Sequence, residues 1–183
     1  MSIYSRSACA PALYVGTYHK YAEGSLFGEW LYLEDYADAE EFMEACRELH
    51  KDEADPELMF QDYENFPASL YSECAGLDNI AAIYEWMELD ENEREMLQAY
   101  EEIHGEGSGS VTDRARTASD AYFCAVDAAF CSWEDVAWEY VHQGCFGIEI
   151  PPQLEYYFCW VTLGRELSQS MSMADNGMVF WDR

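Results

Sequence analysis

Residue types that carry out chemistry occur in this 183-residue sequence, but none assembles into a recognisable catalytic pattern. Glu139 and His142, three apart, would bring a carboxylate and an imidazole onto one helix face. Metal centres built from that spacing need a wider set of carboxylates around it, so a surface pair is the better reading. Asp52-Glu53-Ala54-Asp55-Pro56-Glu57 offers oxygen ligands, yet it lacks the central glycine and terminal glutamate of a calcium loop. Gly105-Glu106-Gly107-Ser108-Gly109-Ser110 fits neither the dinucleotide-binding nor the Walker pattern. Its neighbours Glu101, Glu102 and Glu106 would repel phosphate, which leaves a linker. Ser108 lacks the strand-turn-helix setting of a nucleophile elbow. The four histidines (19, 50, 104 and 142) are scattered, and the seven cysteines form no Cys-x-x-Cys pair. The expectation is a protein that is not an enzyme, with no catalytic residue, metal ligand or cofactor.

What remains is carboxylate. The chain carries 37 Asp and Glu against 9 Lys and Arg, a formal net charge of −28. Residues 34–106 hold 24 acids and 3 bases, net −21, whereas residues 1–33 are net zero and residues 107–183 net −7. Glu40, Glu44, Glu48 and Asp52 recur every four residues, and Glu91, Glu95 and Glu102 mark the outer face of a second helical stretch. Like charges at that spacing destabilise a helix by about 0.2–0.5 kcal/mol each, and few bases are near enough to relieve them. A surface built only for solubility mixes both signs. Adaptation to salt would spread the charge instead of concentrating it. The seven residues are therefore candidates for a functional anionic surface that mimics phosphate.

Such a charge excludes direct binding to nucleic acid, where Lys and Arg neutralise phosphates. It also excludes attraction to an anionic membrane. A basic protein is the natural partner. Duplex DNA carries one charge per ~1.7 Å, so −28 corresponds to about 14 base pairs, and two copies to about 28. With 6 Trp, 14 Tyr and 9 Phe the chain has the apolar material to fold. The odd cysteine count, the lack of an apolar run after Arg6 and the lack of any 18-residue apolar stretch predict a reduced cytoplasmic protein.

The elements that would hold these carboxylates can be read from periodicity. Residues 12–18 and 29–33 read as strands, punctuated by Gly24 and Gly28. Ala39, Phe42, Cys46 and Leu49 form an apolar stripe that predicts a helix from Ala39 to about His50. Asp55-Pro56 breaks it, and Leu58 to Tyr63 return as a strand. Ile80, Ile83, Tyr84 and Met87 predict one further helix. Met96, Leu97, Tyr100 and Ile103 predict another, with Asp90-Glu91-Asn92 as the turn between them. Beyond the linker, residues 122–126 and 178–181 read as strands. Ser132 caps a helix that Gly144 ends, and Pro151-Pro152 opens a short one through Leu154, Tyr157 and Phe158. The fold class is α+β. The expected division is an N-terminal α+β domain (1–67), an acidic helical middle domain (68–106) and a C-terminal α+β domain (107–183).

An ordered series of motifs resembles the ArdA antirestriction protein family over nearly the whole chain. It comprises Pro11-Ala12-Leu13-Tyr14-Val15-Gly16-Thr17-Tyr18, Gly28-Glu29-Trp30-Leu31 and residues 57–67 (Glu57-Leu58-Met59-Phe60 through Pro67). It continues with Ser132-Trp133-Glu134-Asp135-Val136-Ala137, Gly147-x-x-Ile150-Pro151 and Gly164-Arg165-Glu166-Leu167. The resemblance implies an elongated DNA mimic of three small domains that forms a homodimer through its C-terminal domain. It further implies binding to the methyltransferase core of type I restriction–modification enzymes, on behalf of mobile genetic elements. Trp133, Phe146 and Trp160 are candidates for the dimer interface, with ordinary domain core as an equal alternative. One departure falls at Cys159-Trp160-Val161, where the family pattern carries an acidic residue and a tyrosine. Two other readings stay open: an acidic regulator of a different basic DNA-binding protein, and a small hydrolase or metal enzyme with unfamiliar motifs.

Overall fold

The structure, a computed structural model, describes residues 9–182. The reading of a missing signal around Arg6 therefore lies outside the described residues. Contacts divide the chain into two compact units, one ending at Glu88 and the other beginning at Leu89.

In the first unit, strand β1 (Ala12–Thr17) is central, flanked antiparallel by β2 (Glu29–Tyr32) and β3 (Leu58–Glu64). Tyr14 lies opposite Trp30 on one side and Asp62 on the other. Gly28 allows the chain to re-enter the sheet, since a β-carbon there would sit 2.5 Å from the Val15 carbonyl oxygen. Helix α1 (Tyr18–Ala22) is a single turn that takes Tyr18 out of the predicted strand. Helix α2 (Ala39–Leu49) starts at Asp38, whose side chain accepts a hydrogen bond from the Glu41 amide. Its stripe of Ala39, Phe42, Met43 and Cys46 is buried with Leu13, Val15 and Phe60. Helix α3 (Leu77–Glu88) adds Ile80 and Ile83 to the same core. At about 25 cal/mol per Å² of apolar area, each large side chain so buried stabilises by roughly 1.5–3 kcal/mol.

In the second unit, helix α4 (Glu91–His104) packs on α5 (Val111–Ala121), and α6 (Trp133–His142) packs on α8 (Trp160–Leu167). Strands β4 (Tyr122–Ala125), β5 (Met171–Met173) and β6 (Met178–Trp181) form an antiparallel sheet in the order β4-β6-β5. Side chains alternate along β6. Met178 and Phe180 join Met96, Ala99, Ala118 and Ala121, whereas Val179 joins Val136, Ala137 and Leu167. The sheet thus separates two helical layers. Helix α7 (Pro152–Glu155) is four residues long and stops short of Tyr157 and Phe158.

One expectation needs correcting. Asp90-Glu91-Asn92 is not a free turn: Asp90 is the N-cap of α4, paired with Glu93 in a reciprocal capping box, so Glu91 and Asn92 are helical. The two helices of the stretch 68–106 contribute to different cores. Ile80 and Ile83 bury against the first core and Met96 and Ala99 against the second, so its two helices fall on either side of the boundary after Glu88.

Candidate anionic protein-binding surface

Helix α2 displays its acids because its apolar stripe fixes the rotation. With Phe42 and Cys46 fully buried, Glu40, Glu41, Glu44 and Glu48 face water. Four carboxylates on an 11-residue helix of about 16 Å give one carboxylate per ~4 Å, with the exposed Arg47 as the one base among them. A single DNA strand carries one charge per ~3.4 Å. Glu48 is paired with Lys51 at 2.6 Å, but both side chains are about 70% exposed, so the pair neutralises little. Glu41, which the four-residue period passes over, belongs to the same face and also accepts from the Ala37 amide.

Asp52 does not continue this row. The helix ends at Leu49, and Asp52 turns to Lys20, whose ammonium donates to it at 2.8 Å and lies 3.3 Å from Glu53. The Thr17 hydroxyl donates to Glu53 at 2.7 Å. Beneath them His50 is fully buried, its Nδ1 2.9 Å from Lys20 Nζ and its Nε2 3.2 Å from the Val15 carbonyl oxygen. Lys20 can only donate, so Nδ1 accepts and Nε2–H donates to Val15: the imidazole is the neutral Nε2–H tautomer. The hydrogen bond from Lys20 holds the Asp52 carboxyl below its ordinary range. The one from Thr17, aided by Lys20, does the same for Glu53. This is a structural knot that fastens residues 50–53 to the sheet.

On α4, Glu91, Glu95 and Glu102 are exposed. Glu95 accepts from Asn176 at 3.4 Å and Glu102 from Gln98 at 3.0 Å. Glu101, on the inner side, meets the buried Arg114 guanidinium at 2.6 Å, and Glu106 meets it at 2.8 Å. Burial pushes the Glu101 carboxyl up, against the pull of Arg114. The predicted linker 105–110 is thus a clamped loop between α4 and α5.

The residues weighed for catalysis do not converge. Glu139 accepts from Gln143, while His142 stacks on Trp138 and places Nε2 3.5 Å from Glu155. The same spacing recurs at Glu101 and His104, but Glu101 is held by Arg114 and His104 lies 3.8 Å from Asp182. Among the described residues no group of three His, Cys, Asp or Glu side chains is placed to hold a metal. All seven cysteines are free thiols, and burial pushes Cys46 and Cys124 up to about 12. No helix among the described residues is long and apolar enough to cross a membrane.

The second unit has an apolar face as well. Trp133 and Trp160 are half-buried against its core, whereas Phe146 is exposed and meets Phe158 edge-on at 5.6 Å. Ile148, Leu154, Tyr156, Tyr157 and Val161 are exposed nearby in sequence, with Tyr156 at 90% and Tyr157 at 80%. None was singled out as a surface residue from sequence, because an isolated apolar residue looks the same in core and interface.

The sequence pattern of the antirestriction protein (ArdA) family matches residues 13–180. None of the curated proteins compared with the chain matches it. The family match runs from the first strand of one unit to the last strand of the other, and the chain belongs to the ArdA antirestriction protein family.

Proposed function

We propose that this protein blocks type I restriction–modification enzymes by occupying, in place of DNA, the basic surface of their methyltransferase core. The observation that carries this reading is the carboxylate face of α2, with a carboxylate spacing close to the charge spacing of one DNA strand. Glu40, Glu44 and Glu48 on α2, and separately Glu91, Glu95 and Glu102 on α4, are the phosphate-like carboxylates. Asp52 instead helps tie the turn to the sheet through Lys20, which it shares with Glu53. The carboxylates sit on capped helices with packed inner faces, so little conformational freedom is lost on binding. Inhibition is by binding alone, without catalysis or cofactor, and DNA itself is repelled.

A homodimer completes the proposal. Two copies at −28 repel each other, so they meet where charge is sparse and apolar surface is exposed. The stretch 140–161 meets both conditions: it contains two acids, Glu149 and Glu155, and most of the exposed apolar residues of the second unit. Phe146 then contributes directly, and Trp133 and Trp160 support the face from beneath.

The deciding experiment is competition between this protein and a DNA duplex for a purified type I methyltransferase at several salt concentrations. Mutually exclusive, stoichiometric binding that weakens with salt is expected. Binding that leaves DNA in place would sink the proposal. Recovery of a different basic DNA-binding protein from extract, with no affinity for the methyltransferase, would replace it by the regulatory reading.

A further inference from the structure

The turn between β5 and β6 holds the dipeptide Asn176-Gly177 against helix α4. Asparagine is a thermolabile residue, and of the four in the chain (65, 79, 92 and 176) Asn176 is the one followed by glycine. Packing requires that glycine: its φ is +85°, and a β-carbon there would overlap the Val126 carbonyl oxygen. Asn176 is exposed to water. Its Oδ1 accepts from the Met178 amide at 3.1 Å, and its Nδ2 donates to Glu95 at 3.4 Å. We propose that Asn176 is a self-modification site, where the chain converts asparagine to aspartate or isoaspartate, and that Glu95 guards it. The site does not depend on which enzyme the protein binds.

The chemistry needs only this turn and water. The Gly177 nitrogen attacks Asn176 Cγ, so that an N–Cγ bond forms and the Cγ–Nδ2 bond breaks. The proton of the Gly177 amide passes to the side-chain nitrogen, which leaves as ammonia, and a five-membered succinimide remains. Water then adds to one ring carbonyl and opens the ring to aspartate or isoaspartate. Glycine has no side chain to hinder the attack, and the Met178 amide donates to the oxygen on which negative charge develops. Two bonds hold the reaction back. The Gly177 N–H is engaged by the Ala174 carbonyl oxygen at 2.9 Å, and Glu95 keeps the side-chain amide turned toward α4. An aspartate at 176 would face Glu95 with a carboxylate where an N–H stood, so a tie between the turn and α4 becomes a like-charge contact.

The test is incubation of the full chain near neutral pH, with intact mass and peptide mapping followed over time. The mass gain of an amide-to-acid exchange is expected at Asn176 before it appears at Asn65, Asn79 or Asn92. Glu95 is exposed, so Glu95→Ala should fold, and it should speed conversion at least about threefold, the scale of one lost hydrogen bond. Glu95→Gln, which can still accept from Nδ2, should convert at nearly the wild-type rate. Asn176→Asp should lower Tm in the wild-type background and leave it unchanged in Glu95→Gln. Conversion that begins at another asparagine, or none at Asn176, would overturn the site. A Glu95→Ala rate equal to wild type or slower would overturn the guard, and an equal Tm loss in both backgrounds would overturn the like-charge contact.

Discussion

Helix α2 and the turn that follows it have similar densities of acid, but they use them in opposite ways. On α2 the carboxylates stand in water on a helix whose other face is locked into the core. In the turn, Asp52 and Glu53 are gathered by Lys20 above a buried neutral histidine. The second unit repeats the contrast on one helix: Glu91, Glu95 and Glu102 face out, while Glu101 faces Arg114. Formal charge is therefore not the same as charge offered to a partner. Lys20 and Arg114 are placed where carboxylates hold the fold together, whereas the outward acids stand in water.

The largest expected effect comes from breaking the tied class. Arg114→Met leaves Glu101 and Glu106 facing each other at a partly buried site, and should cost about 3 kcal/mol in chemical denaturation. A loss below about 1 kcal/mol would mean that the clamp is ornamental. Lys20→Met strips the buried His50 Nδ1 of its donor, and should cost about 1–3 kcal/mol while leaving binding to a basic partner intact. Weaker partner binding in that variant would place the knot in the recognition surface and blur the contrast.

The outward class should respond the other way. Glu40→Gln/Glu44→Gln/Glu48→Gln removes two like-charge pairs along α2 but also the Glu48–Lys51 pair and a first-turn carboxylate, so stability should change by less than about 1 kcal/mol. Its association rate with the methyltransferase should fall about tenfold at low salt, with the difference closing as salt rises. An unchanged rate would show that this face does not meet the partner.

The smallest effect is that of pH on the knot. Asp52 and Glu53 are held below their unfolded values, so their contribution is present above about pH 4–5 and is lost as pH falls through the lower folded values. Hydrogen bonds from Lys20 to Asp52 and Glu53 raise its ammonium value against the opposing effect of burial. Its contribution is therefore complete below about pH 10.4 and is lost only as pH rises through the higher folded value. The Tm difference between wild type and Lys20→Met should be flat from about pH 5 to 9 and shrink below about pH 4. A difference that varies across the neutral range would sink this account of the knot.

Much of the first unit was legible because its signals are large and local. Phe42 and Cys46 on one stripe, and Ile80 and Ile83 on another, leave little choice of helix rotation, and Asp38 supplies the cap. Helix α5 was missed because its buried stripe is Ala115, Ala118 and Ala121, too small to stand out from its polar neighbours. Helix α8 was missed because Gly164 interrupts it. That glycine is needed because a β-carbon would sit 2.4 Å from the Trp133 carbonyl oxygen, a contact with α6 that no local window contains. Strand β5, only three residues long, exists by pairing with β6.

The sequence by itself determined the excess of carboxylate, its concentration in residues 34–106, the α+β character and the family. Those depend on composition, short-range period and ordered motifs. Only the tertiary structure decided which carboxylates are available, since Lys20 reaches Asp52 across 32 residues and Arg114 reaches Glu101 across 13. An ion pair depends on distance in space, and the chain sets that distance only once its apolar stripes have chosen their partners.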